Sequence, residues 1–222
     1  MNRAEQYCQT IKRMSQNNGG INPNTVLLAQ LNGDISDLSQ NHYTPTITGS
    51  PAFVTGYFSG TLACQISNNN VFGFYGLASN LAGDFTLDFF QLSTLGRDIS
   101  LGRYSIITSS NSRYGGLGIL SSTTATAYGL ESTLHISYSI NTWYHIALTR
   151  HNGVTRIFTN GVLAGQLSSS YEAGVNIRIS SASSFNEQRY MTVSNMRLSN
   201  VALHKESGGV YTFPVPTNLY NN

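Results

Sequence analysis

The stretch Asp84-Phe-Thr-Leu-Asp-Phe-Phe-Gln-Leu92 has a period of two: Phe85, Leu87 and Phe89 fall on one side, Thr86 and Asp88 on the other. A strand with one buried face requires that alternation, because successive side chains leave a pleated backbone in opposite directions. A second stretch, Val154-Thr-Arg-Ile-Phe-Thr-Asn-Gly-Val-Leu-Ala-Gly165, sets Asn160-Gly161 between two apolar runs. Asn-Gly tolerates the positive φ that both central positions of a tight hairpin need, so the runs should pair. His151-Asn152-Gly153 joins Trp143–Arg150 to Val154–Thr159 in the same manner, giving a three-strand meander.

The same period runs outward from these two stretches. Further strands are expected at Val26–Leu31, Ala52–Phe58, Thr61–Ile66, Val71–Tyr75, Tyr104–Thr108, Gly116–Leu120, Thr133–Tyr138, Val162–Gln166, Val175–Ser180 and Tyr190–Leu198. Many short strands with turns every eight to twelve residues predict an all-β fold, a two-sheet antiparallel jelly-roll sandwich. The Ser-rich patches Ser168–Ser170 and Ser180–Ser184 read as surface loops. Near the end, Tyr211-Thr-Phe-Pro-Val-Pro216 must run extended at a sheet edge or outside it, since neither proline can donate to a ladder. Such a tail should wrap the domain.

Only the start has a helical period: Ala4, Tyr7, Cys8, Ile11 and Met14 recur at three- and four-residue steps. Asn17-Asn18-Gly19-Gly20 and Asn22-Pro23 then stop the helix. Residues 1–23 are therefore expected to be a helical arm and hinge, and residues 24–222 the sandwich with its tail. Two readings of the arm stay open. It folds back on the sandwich, or it docks Tyr7, Ile11 and Met14 into a larger partner, a short helix being marginal alone in water.

Composition excludes several classes. Of 222 residues only 12 + 10 = 22 are charged, too few for coiled coils or charge-driven disorder. A net charge of +2 with scattered basic residues does not make the electrostatic footprint of a nucleic-acid binder. No apolar run reaches the ~18 residues of a membrane-spanning helix, so no membrane insertion is expected. Cys8 and Cys64 lack a C-x-x-C spacing; they are two reduced thiols or one bridge. Met1-Asn2-Arg3-Ala4-Glu5 has no secretory apolar core, which predicts folding in a cytoplasm.

Six blocks in order resemble the concanavalin A-like, laminin-G-like jelly-roll domains: Thr25-Val-Leu-Leu-Ala-Gln-Leu-Asn-Gly33, Ser36-Asp-Leu-Ser-Gln-Asn41, Gly83-Asp-Phe-Thr-Leu-Asp-Phe-Phe90, Asn141-Thr-Trp-Tyr-His-Ile-Ala-Leu-Thr-Arg150, Arg156-Ile-Phe-Thr-Asn-Gly-Val-Leu163 and Met196-Arg-Leu-Ser-Asn-Val-Ala202. The series covers residues 25 to about 217. The opening block and the aromatic-Pro tail are similar to the version found on tail and capsid-surface proteins of tailed bacteriophages. That resemblance implies a virion protein, made in the host cytoplasm, present in many copies or as a homo-oligomer and contacting other virion proteins through the arm. It also implies that Trp143 buttresses the core. Where relatives carry paired acids before the Met196 strand, this chain has Ser194-Asn195. That departure argues against calcium, a hard cation needing several oxygen ligands, and no other cofactor is indicated.

The acids do not form a catalytic set. Glycosidases on this sandwich place paired carboxylates along one strand, as E-x-D-x-x-E, and no such strand exists here. Asp84 and Asp88 would share a strand face, but Asp84 fits a turn acceptor better, and Asx-turns account for Asp34 and Asp37. The five histidines have no chelating spacing, and His145 reads as a hydrogen-bonded packing residue. No nucleophile elbow or phosphate loop occurs, so no enzyme is expected. Sugar binding needs an aromatic face beside amide and guanidinium groups. Four loops supply such groups: Asn111, Arg113 and Tyr114; Thr126-Ala-Tyr128; Tyr171; and Asn186 with Arg189. The expected function is a glycan-adhesion module displayed on a virion. The alternatives are a purely architectural cement protein and a glycoside hydrolase.

Overall fold

In the computed structural model, residues 23–67, 70–77, 83–93, 107–108, 116–121, 124–128, 133–137, 139, 141–168, 176–180, 191–204 and 212–220 are described. Every regular element among them is a strand: β1 (Thr25–Ala29), β2 (Thr46–Thr48), β3 (Ala52–Thr55), β4 (Leu62–Ile66), β5 (Val71–Phe74), β6 (Phe85–Ser93), β7 (Ile107–Thr108), β8 (Gly116–Ser121), β9 (Thr124–Tyr128), β10 (Thr133–Ser137), β11 (Trp143–His151), β12 (Val154–Thr159), β13 (Val162–Ser168), β14 (Asn176–Ser180) and β15 (Met191–Ser199). The expected arm, with Tyr7, Ile11 and Met14, lies outside the described residues, as does Cys8.

The large sheet runs β13-β12-β11-β6-β15-β4-β3, with β1 also on β15; a second runs β2-β5-β14-β7 and a third β10-β9-β8. All pairings are antiparallel. Phe72 and Phe74 of β5 and Ile177 and Ile179 of β14 join Phe85, Leu87, Phe89, Ile146, Leu148 and Val193 of the large sheet in one buried cluster, which makes the body a sandwich. Burying each such side chain stabilises by roughly 1.5–3 kcal/mol. The meander is as expected. Asn160 and Gly161 take φ of 49° and 78° in the β12–β13 turn, and Asn152 and Gly153 take 50° and 76° between β11 and β12.

Two findings depart from the sequence reading. Thr126-Ala-Tyr128, expected as a loop, lies in β9 (Thr124–Tyr128), paired on both sides by β8 and β10. Alternating small side chains between Thr residues weaken the periodic signal there. Strand β6 is buried on both faces, with Thr86, Asp88 and Phe90 as inaccessible as Phe85, Leu87 and Phe89. The cover on the second face is the tail. Thr86 Oγ1 donates to the Val201 carbonyl (3.0 Å) and accepts from Leu203 N–H (2.9 Å). Thr212 bridges Val162, and Phe213 N–H donates to the Gly161 carbonyl (2.9 Å), so the proline segment runs along the sheet edge as its residues require.

Candidate functional site

Directly opposed residues of paired strands share a face, so the ladders of β6 with β11 and β15 sort the outer face into four rows. These are Trp143–Leu92–Thr192, His145–Phe90–Ser194, Ala147–Asp88–Arg197 and Thr149–Thr86–Ser199. The third row holds the one fully buried acid among the described residues, Asp88. Arg197 Nη2 donates to Asp88 Oδ2 at 3.1 Å, and the Tyr220 hydroxyl donates to Oδ1. The Arg197 guanidinium also lies 4.0 Å from the Tyr220 ring centre. His204 and His145 Nε2 stand 3.6 Å and 3.9 Å from the carboxylate, beyond hydrogen-bond length. His145 is thus a packing residue, but neither of its ring nitrogens has a hydrogen-bond partner, contrary to expectation.

Tyr220 is brought here by a β-bulge. Between Ser194 and Arg197 the register slips, and Asn195 takes a φ of 53°. Its N–H donates to the Gln30 carbonyl (2.9 Å) and its Oδ1 accepts from Tyr220 N–H (2.8 Å). Gln30 Nε2 in turn donates to the Tyr220 carbonyl. Asn195 is therefore committed to holding the tail.

Burial alone would raise the Asp88 pKa, but the charge of Arg197, helped by the two imidazoles, outweighs it and holds the carboxyl well below the usual range. Burial and the neighbouring carboxylate push the Tyr220 hydroxyl well above the ordinary tyrosine value. An ionised acid with no exposed surface cannot protonate a leaving group, so this cluster is a clasp and not an acid catalyst.

The other described carboxylates are similarly engaged. Asp37 accepts from the N–H groups of Leu28 (2.9 Å), Ser39 (2.8 Å) and Tyr43 (2.9 Å) and from the Ser39 hydroxyl (2.9 Å). Asp34 accepts from Ser36 N–H (3.2 Å), the Asx-turn expected from sequence. Asp84 meets His151 Nδ1 at 2.7 Å and accepts from Asn152 N–H at 2.9 Å, as a turn acceptor should. Burial is the largest single influence on its carboxyl and opposes ionisation, but the His151 and Asn152 hydrogen bonds and the charges of His151 and Arg150 together outweigh it and lower the pKa.

The first two rows carry aromatic residues. Strand β3 ends at Thr55, three residues short of the expected Phe58, and residues 56–61 form a tight loop into β4. Gly56 N–H donates to the Thr61 carbonyl (2.9 Å), and Thr61 N–H and hydroxyl donate to the Phe58 carbonyl (3.1 and 2.7 Å). A Cβ on Gly56 would meet Thr61 Oγ1 at 2.6 Å and the Leu62 carbonyl at 2.8 Å, so the close crossing needs glycine. The loop lays Tyr57 flat on Phe90, ring centres 4.2 Å apart and 20° between planes, with Phe58 and Trp143 edge-on at 4.9 and 6.0 Å. Tyr57 is 42% exposed. Trp143 is half-buried on this outer face and not part of the core cluster, a correction to its expected role.

Of the expected sugar-contact residues, Tyr128 ends β9 rather than sitting on a loop, while Asn111, Arg113, Tyr114, Tyr171, Asn186 and Arg189 lie outside the described residues. Sequence reasoning passed over Tyr57 and Phe58. The available signal was their placement between Gly56 and Ser59-Gly60.

No family model and no curated protein matches the chain. Solved structures do. The binding domain of botulinum neurotoxin serotype C1 matches with a TM-score of 0.66 and 16% identity, covering 83% of this chain and 50% of that one. The botulinum neurotoxin DC binding domain, solved in complex with rat synaptotagmin II, gives 0.66 and 15%, covering 82% and 50%. A type C structure, described with cell entry dependent on interaction with two ganglioside molecules, gives 0.64 and 15%, covering 82% and 49%. The chain spans about half the length of these structures, and at such identity what it shares with them is the fold of a β-sandwich found in toxin binding domains.

Proposed function

We propose that this protein is a non-catalytic binding module, a concanavalin A-like jelly roll displayed on the capsid or tail surface of a bacteriophage virion for adhesion to glycans. The observation that carries the reading is the engagement of all four described carboxylates, Asp34, Asp37, Asp84 and Asp88, in hydrogen bonds that hold turns and the tail. A body built this way positions loops and aromatic surface without acid–base chemistry at those groups. The ordered sequence blocks support the virion assignment. The fold shared with toxin binding domains, one described with two ganglioside molecules and one solved with rat synaptotagmin II, supports adhesion by analogy of fold.

Weak sites suffice on a particle. A shallow sugar site with a Kd of ~1 mM supplies about 4 kcal/mol, and display in many copies adds ~10²–10⁴ in avidity. The test is clustered display of the full chain on an array of host-surface polysaccharides. Retention on a subset of glycans supports adhesion, and a blank array at high valency refutes it. Deleting residues 1–20 should abolish incorporation into particles while the sandwich still folds; unchanged incorporation removes the docking arm. The architectural reading draws on β2 and β3, which end two sheets, with all three residues of β2 exposed, Ile47 at 47%. Open edges of this kind pair with neighbouring chains.

A further inference from the structure

We propose that the ring of Tyr57, fixed against Phe90 beside Trp143, is the contact surface for a neutral pyranose. The proposal rests on the glycan-binding reading and gives it a location away from the loops expected from sequence. Sugars present a flat patch of C–H groups ringed by hydroxyls, and they are recognised by an aromatic face with uncharged hydrogen-bonding groups at its margin. Tyr57 has the required form. One face lies on Phe90 and its edges meet Phe58 and Trp143, while 42% of the residue stays open to solvent.

The platform is organised in advance. The hydrogen bonds closing residues 56–61 and the close crossing at Gly56 hold the backbone, so little ordering remains to oppose binding. The margin is polar and neutral. Ser59 beside Tyr57, and Asn141 and Thr142 before Trp143, are exposed. With Gly56, Phe58 and Tyr144, these flanking residues carry no charge, which favours a neutral sugar over an anionic one. A single half-exposed tyrosine ring suits one sugar and is far smaller than the ~800 Å² per side of a protein interface.

The experiment uses the full chain, biotinylated and clustered on streptavidin, on an array of neutral hexose and N-acetylhexosamine glycans. Trp143, the one tryptophan of the chain, gives a second readout through its emission on titration with the best-bound glycan. Tyr57→Ala and Tyr57→Leu should each lower binding at least about tenfold, equivalent to about 1.4 kcal/mol, while Tyr57→Phe keeps most of it. The leucine variant still covers Phe90, so it separates lost recognition from lost folding, with the thermal midpoint as control. Glycan binding that survives both substitutions in folded protein, or no change in Trp143 emission at saturation, overturns the platform and leaves the adhesion reading standing. A blank array for the unaltered chain overturns both.

Discussion

Replacing Asp88 by asparagine keeps the shape of the side chain and removes its charge. Arg197, whose side chain is 14% exposed, would then hold a nearly buried positive charge without its counter-ion, and Tyr220 would donate to a weaker acceptor. Breaking a buried pair by removing one partner costs about 3–5 kcal/mol. Against a total of roughly 5–15 kcal/mol, that is at least about a fifth of the stability of an average domain. At about 2–4 °C per kcal/mol for a chain of this size, the thermal midpoint should fall by about 6–20 °C. Calorimetry at neutral pH gives the midpoint, and limited proteolysis reports whether residues 212–220 are released first. The pH profile supplies a second check. A carboxyl whose folded pKa is depressed stabilises fully above its unfolded value of about 3.9 and loses that contribution as pH falls toward the folded value. The unaltered protein should therefore lose stability on acidification below about pH 4, and the asparagine variant should lose less. A midpoint within about 2 °C of the parent, with an unchanged acid limb, would refute the clasp. Replacing both partners, Asp88→Leu with Arg197→Met, should recover much of the loss, because an apolar pair leaves no stranded charge.

Gly161→Ala should destabilise by more than ~1 kcal/mol in urea titration, since its φ is +78° and a Cβ there would meet the Phe213 carbonyl oxygen at 2.2 Å. A neutral result would mean that the tail does not lie on the β12–β13 turn. Thr192→Val removes a buried hydroxyl without a partner and should leave the thermal midpoint unchanged or raise it, by up to ~1 kcal/mol of stability; a clear loss would reveal a hydrogen bond at that site. Cys64, fully buried with its thiol pushed up to about 12 by desolvation, should resist alkylation at pH 8 until the chain unfolds, as read by peptide mapping. At alkaline pH the raised Tyr220 pKa works in the opposite sense to Asp88. Its contribution is whole below about 10 and declines above it, so Tyr220→Phe should flatten the alkaline limb.

Much of the sandwich was legible because pattern and turn chemistry agree. The Asn160-Gly161 turn fixed the β12–β13 register, and Phe85, Leu87 and Phe89 identified the core side of β6. The second face of β6 was not legible as buried. Thr86 and Asp88 are polar, and what encloses them comes from residues 201–220, more than a hundred positions away. Local periodicity carries no information about such a cover, although Phe90 and His145 on the same face hinted at one. The clasp escaped for the same reason: Asp88, Arg197 and Tyr220 have no fixed spacing in sequence. In sequence Ala52–Phe58 is apolar enough to continue β3 through Tyr57, and the sharp crossing at Gly56 ends the strand at Thr55. Thr124–Tyr128 failed in the reverse direction, its small residues reading as a loop where ladders on both sides impose a strand.

The contact between Asp88 and Tyr220 spans 132 positions. During synthesis the Asp88 end of the outer side of β6 therefore stays uncovered until residue 220 has left the ribosome, although Tyr57 and Phe58 can already lie on Phe90. Closure by so distant a segment is slow, since contacts of high sequence separation cost loop entropy before they reward it. A nascent chain paused before that point would leave the Asp88–Arg197 pair without the Tyr220 side chain that closes over it, making the arrival of residue 220 the step at which this face becomes resistant to proteases.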